Sequence, residues 1–192
     1  MSKRLLAVIV VIAALSDAWS LLAQSKSSKP AAEQRAFYED CMGGDKNRPC
    51  VFDHSVPLPK NVLDILRASK EARESRDALK DYDRDGFSQL FKAAVIHLGG
   101  PEETDYVVMG EFPMGGADAP WFWIVRSDQS LPKVIFFTFA NGFEILKSIS
   151  NGYPNIRSIA WTGCCRFTNL YQYNGQRYVL VHAYHRQNMP QP

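Results

Sequence analysis

Asp81, Asp83 and Asp85, followed by Gly86, stand at the D-x-D-x-D-G spacing that opens a calcium-binding loop. The twelfth position, where a bidentate Glu would close the oxygen shell, is Lys92, and an ammonium there opposes a hard cation. Calcium at this point therefore needs a carboxylate from elsewhere in the chain; without one the run is an acidic surface turn. His182 and His185 form H-x-x-H, but on a strand a three-residue offset sends them to opposite faces, where they cannot share an ion. His54 and His97 are isolated. Glu102, Glu103, Asp105, Glu111 and Asp118 gather in one loop-rich region, and two carboxylates at a suitable separation are what glycoside hydrolysis requires.

None of these groups belongs to a complete catalytic motif. G-x-S-x-G, H-E-x-x-H, a Cys-His nucleophile pattern and the glycine-rich phosphate fingerprint are all missing, so no cofactor and no metal is expected. The 22 basic and 20 acidic side chains leave a net charge of +2, too even to mark nucleic acid or an anionic membrane as the partner. With 46% hydrophobic and 12% aromatic residues in 192, the chain can bury one core of ordinary size.

The first 23 residues read as a targeting segment. Lys3 and Arg4 precede the apolar run Leu5 to Leu15, and small residues follow, which is the layout of a secretory signal peptide. Cleavage fits after Ala23 or after Ser20. The run is shorter than the about 20 residues that cross a bilayer. Residues 24–30, rich in Ser and Lys, read as a flexible leader, and 31–192 as one domain of a periplasmic or secreted protein with no membrane anchor after cleavage.

Export would place Cys41, Cys50, Cys164 and Cys165 in an oxidising compartment. Cys41 and Cys50 flank a turn-rich stretch, so a local bridge is reasonable and would leave the adjacent Cys164 and Cys165 to a strained vicinal bond. Two long-range bridges are the alternative, because neighbouring residues of a strand point to opposite faces.

The remaining chain divides into a helical front and a strand-rich back. Ala31 to Asp40 contains good helix formers, and Lys60 to Ser69 carries Val62, Leu63 and Leu66 at helical spacing, a stripe suited to lie on a sheet. From Lys92 to Tyr184 eight short β-branched or aromatic runs follow one another, separated by Gly, Pro, Asn and Asp. Asn141-Gly142, Asn151-Gly152 and Asn174-Gly175 supply the positive-φ residues of tight hairpins. The fold class expected is α+β, an antiparallel β-meander sheet packed against N-terminal helices. Val134 to Phe139, apolar on both faces, is expected to be a central strand.

A two-residue turn at Asn174-Gly175 pairs Tyr171 with Tyr178 and Phe167 with His182. Leu170, Val179, Val181 and Ala183 then form the core side, and Phe167, Tyr171, Tyr178, His182 and Tyr184 an aromatic strip with polar tips. Such a strip stacks on sugars or receives a partner protein, unless a helix or second sheet covers it. Trp121 and Trp123, just after the glycine-rich loop 114–120, either rim a pocket or anchor the core.

The segments Ser150-Asn151-Gly152-Tyr153-Pro154-Asn155-Ile156 and Tyr171-Gln172-Tyr173-Asn174-Gly175-Gln176-Arg177-Tyr178 resemble a pattern that recurs in uncharacterised secreted bacterial β-rich proteins. There an Asn-Gly-Tyr-Pro-Asp-Ile segment precedes a Tyr-x-Phe-Asp-Gly-x-x-Tyr hairpin; Asn155 stands in place of the usual Asp. Some similar periplasmic proteins inhibit lysozymes. The resulting expectation is an exported, non-enzymatic binding protein that recognises a protein or glycan of the cell envelope through Phe167, Tyr171, Tyr178, His182, Tyr184, Trp121 and Trp123. The alternatives are an envelope hydrolase using loop carboxylates such as Glu111 or Asp118, and an inhibitor of a lysozyme-like enzyme.

Overall fold

A computed structural model describes residues 52, 54–74, 84–115, 119–127, 131–161 and 165–187. The expected helix over 31–40, Cys41, Cys50, Asp81, Asp83, Asp118 and Cys164 lie outside the described residues, as does the side chain of Asp85. Among the described residues three short helices, α1 (Lys60–Arg67), α2 (Lys70–Glu74) and α3 (Arg84–Ser88), precede eight strands. These are β1 (Phe91–Ile96), β2 (Asp105–Gly115), β3 (Pro120–Arg126), β4 (Lys133–Phe139), β5 (Gly142–Ser150), β6 (Tyr153–Trp161), β7 (Cys165–Tyr173) and β8 (Tyr178–Gln187).

Every strand read from the sequence is present, and every pairing is antiparallel between chain neighbours. The strands do not form one meander, however. Sheet A has the order β1-β2-β3-β4 and sheet B the order β5-β6-β7-β8, so the described chain is mainly β rather than evenly α+β. The break falls at Asn141-Gly142. Asn141 donates its backbone N–H to Ile159 O at 2.9 Å and accepts from Trp161 N–H at 2.6 Å, which ties the corner to sheet B instead of folding β5 back on β4. At Asn151-Gly152 the expected two-residue hairpin is found, with both residues at positive φ and Ser150 paired to Tyr153.

Aromatic side chains join the two sheets. Phe136 of β4 lies 5.0 Å from Tyr171, 5.7 Å from Tyr178 and 6.0 Å from Phe143, and Phe122 lies 5.2 Å from Phe143. Edge-to-face pairs of this kind add about 0.5–1.5 kcal/mol each beyond area burial. On the other face of sheet A, Val108, Trp123 and Val125 share a buried cluster with Val62, Leu66, Ala72 and Phe87. Pro59, preset near φ −60°, opens α1 by accepting Val62 N–H and Leu63 N–H, and the exposed Lys60–Asp64 pair adds a few tenths of a kcal/mol.

Sheet A is thus apolar on both faces, which explains the sequence of β4 and corrects its expected position. Val134 and Phe137 belong to the cluster with α1, Ile135 and Phe136 to the cluster between the sheets, yet β4 is an edge strand. Two-sided burial comes from the clusters to which the strand contributes on each face and carries no information about neighbours within the sheet. In β2 the register shifts between Gly110 and Gly115. Gly110 permits this irregularity, because a Cβ there would land on the Met114 carbonyl oxygen.

Candidate functional site

The β7–β8 hairpin departs from its expected register. Asn174 caps a longer turn, its side-chain oxygen accepting Gln176 N–H and Arg177 N–H at 3.0 Å each, and Gly175 has φ +98°. Tyr173 therefore pairs with Tyr178, and Tyr171 with Leu180. A slip of two residues keeps side-chain parity, so Tyr171, Tyr173 and Tyr178 do share a face, but that face is the core side. Tyr178 is buried, donating its hydroxyl to Pro154 O at 2.9 Å, and the half-buried Tyr171 hydroxyl meets Thr138 Oγ1 at 3.2 Å. The inward side is aromatic, and the aliphatic side, with Leu170 and Val179 half-buried, faces out. Rings fill the gap because the facing strand presents Phe136, which interlocks with tyrosines better than with Val or Ala.

A bulge between Leu170 and Tyr171 then reverses the parity of β8. Phe167, half-buried, stays on the side of Tyr171 and stacks on His185 at 4.8 Å and 10°, while His182 and Tyr184 pass to the outer face. The expected strip is split in two. Trp123 is fully buried and Trp121 half-buried against it at 5.9 Å, so both tryptophans belong to the core cluster behind sheet A. Cys165 is buried, and no cysteine among the described residues is free. Asn155 is also buried and donates to Ser148 Oγ at 2.9 Å.

Two constellations emerge that the sequence reading did not single out. The first closes one end of the stacked sheets. Asp105, fully buried at the start of β2, accepts Leu98 N–H at 3.2 Å and Arg126 Nε–H at 3.4 Å. Arg126 donates through a terminal nitrogen to the Tyr173 hydroxyl at 3.2 Å, and its guanidinium lies 4.5 Å from the centre of the Tyr153 ring. The Tyr153 hydroxyl donates to Glu103, and His97 Nδ1 meets the Glu103 carbonyl oxygen at 2.6 Å. Burial pushes the Asp105 carboxyl up to about 6 against the opposing pull of the Leu98 N–H and Arg126. Burial also raises the Tyr153 hydroxyl, which its bond to Glu103 reinforces. For Arg126, burial works downward, but the Tyr173 hydroxyl and the Asp105 carboxylate leave it above its usual value.

This cluster fastens the sheets together. It offers little to a substrate: Asp105 is closed off and Glu103 is held by Tyr153, while on β2 Glu111 is bridged to Lys92 at 2.8 Å. Glu102 is exposed. Among the described residues no three His, Cys, Asp or Glu side chains converge as a metal site.

The second constellation is the outer face of sheet B. Trp161, Arg166 and Arg186 form one row across β6, β7 and β8; Ile159, Thr168 and Tyr184 form the next; Arg157, Leu170 and His182 the third. Strand spacing near 4.8 Å and a two-residue rise near 7 Å make this a platform of about 10 by 14 Å. Leu180 and every residue from 181 to 186 are exposed, Tyr184 at 60%, and the His182 and Tyr184 rings lie 6.0 Å apart. The Arg166 guanidinium lies 5.9 Å from the centre of the Trp161 ring, and Arg157 is paired with Glu144 at 2.8 Å. A signal for this surface was in the sequence: residues 140–192 carry five basic side chains (Lys147, Arg157, Arg166, Arg177 and Arg186) against Glu144 alone, a local +4 in a chain of net +2.

No protein-family model, no curated protein and no solved structure matches this chain.

Proposed function

We propose that this chain is an exported, non-enzymatic binding protein that recognises a glycan or protein of the cell envelope through the outer face of its β7–β8 hairpin. The carrying observation is the exposure of His182 and Tyr184 on the outer face of a sheet whose opposite face carries Ile156, Tyr173 and Tyr178 of the sheet-to-sheet core. Exposed aromatic side chains with polar tips suit recognition, because they bring large contact area at low entropic cost. In the same reading residues 1–23 direct export, the four cysteines pair in an oxidising compartment, and the helices form a layer behind sheet A. That last point draws support from the cluster shared by Val62, Leu66, Val108 and Trp123.

The test compares wild type with a His182→Ser, Tyr184→Ser double variant on glycan arrays and in quantitative capture from envelope extract. Neither side chain is buried, so stability should stay within about 0.5 kcal/mol while retention of the ligand is lost. Undiminished retention by the double variant would remove the hairpin from the binding surface.

A further inference from the structure

We infer that the ligand is an acidic glycan, with Arg166 and Arg186 clasping a carboxylate, sulfate or phosphate on it and Trp161 supporting the adjoining sugar ring. The inference rests on the binding role of the hairpin's outer face proposed above and adds the chemistry of what it binds. Arg166 and Arg186 are directly opposed on β7 and β8. Like charges in that position destabilise a strand pair. Arg166 Nε is buried and meets no hydrogen-bond partner among the described residues, although an unsatisfied buried donor on a charged group is costly. Neither arginine forms an ion pair among the described residues, whereas Arg157 on the same face has Glu144. Two arginines directly opposed on neighbouring strands, one with its guanidinium held over an indole, can supply the paired donors that an oxyanion receptor needs.

The face selects among polyanions. Nucleic-acid affinity rests on neutralising many phosphates, and a chain of net +2 whose platform carries only Arg166 and Arg186 besides the Glu144-paired Arg157 lacks that field. A standard protein interface takes about 20–30 residues a side, several times what three rows across three strands provide. A sugar carrying an acidic group needs one aromatic plane and one anion clasp, and the row Trp161–Arg166–Arg186 has both in register.

The experiment titrates the mature chain by calorimetry with oligogalacturonate, its methyl ester, a heparin oligosaccharide, chitohexaose, oligo-dT and polyglutamate. The ester keeps the sugar and removes the charge, and the heparin arm reads whether sulfate adds to what the carboxylate contributes. We expect an acidic oligosaccharide to bind at least about tenfold more tightly than the ester, and the exposed Arg186→Gln to weaken it about ten- to hundredfold while the melting temperature holds or rises as the like-charge pair is relieved. Trp161→Ala should weaken acid and ester alike. Equal binding of acid, ester and chitohexaose would overturn the charge inference and leave the hairpin as a glycan surface. Preference for oligo-dT or polyglutamate would overturn the glycan assignment while the hairpin reading survives. Binding that neither Arg186→Gln nor the double variant at His182 and Tyr184 disturbs would overturn both.

Discussion

Asp105→Asn should change how stability depends on pH, and the size of the change follows from the burial of the carboxyl. Asp105 has no exposed surface, and loss of water outweighs the Leu98 N–H and Arg126 in raising its pKa from 3.8 to about 6, with Glu103 adding to the rise. The folded protein therefore holds this proton more tightly than the unfolded chain does. The resulting stabilisation is fully present below the unfolded value near 3.9 and is lost as pH rises through 6. Two units at about 1.4 kcal/mol each make the loss about 3 kcal/mol. Asparagine matches the shape but does not titrate, so in the difference between the two proteins all other titrating groups cancel. Urea unfolding, followed by tryptophan fluorescence at several values between about pH 3.5 and 8, measures that difference. The stability of wild type relative to the variant should fall by about 3 kcal/mol, almost wholly between pH 4 and 6. A flat difference would mean that Asp105 titrates normally. A rise with pH would mean that Arg126 holds the carboxylate ionised, and that attraction, not dehydration, rules the site.

Phe136→Ala should cost about 3–5 kcal/mol in denaturant unfolding, because it removes the ring that meets Phe143, Tyr171 and Tyr178 between the sheets; under 1 kcal/mol would show that the sheets are not joined there. Gly110→Ala should lower stability by about 3 kcal/mol or more, since the Met114 carbonyl must move to admit the methyl; a neutral result would disprove the tight irregularity in β2. Asn174→Ala, which strips two capping hydrogen bonds from the last hairpin, should cost about 1–2 kcal/mol and speed amide exchange at Gln176 and Arg177.

Local patterning was enough to locate all eight strands and their antiparallel order, because β-branched and aromatic runs bounded by turn residues carry their own conformational preference. It was also enough to place the Asn151-Gly152 turn, where positive φ is required of both residues. Which side of a strand faces the core is a different kind of fact. In β7 and β8 both alternating sets are usable as core, and the choice fell on the tyrosines only because Phe136 arrives from another sheet. The bulge that sends His182 and Tyr184 outward depends on the pairing of whole strands, and the division into two sheets on how the Asn141 corner bonds to β6. Asp105, which the sequence offers only as one of several loop carboxylates, meets Arg126, 21 residues away, only when folding removes their water. The one-dimensional pattern thus determined the elements and their sequence of pairing. The faces, the buried charge cluster and the basic platform were decided by contacts between distant segments, whose energies no single stretch of chain contains.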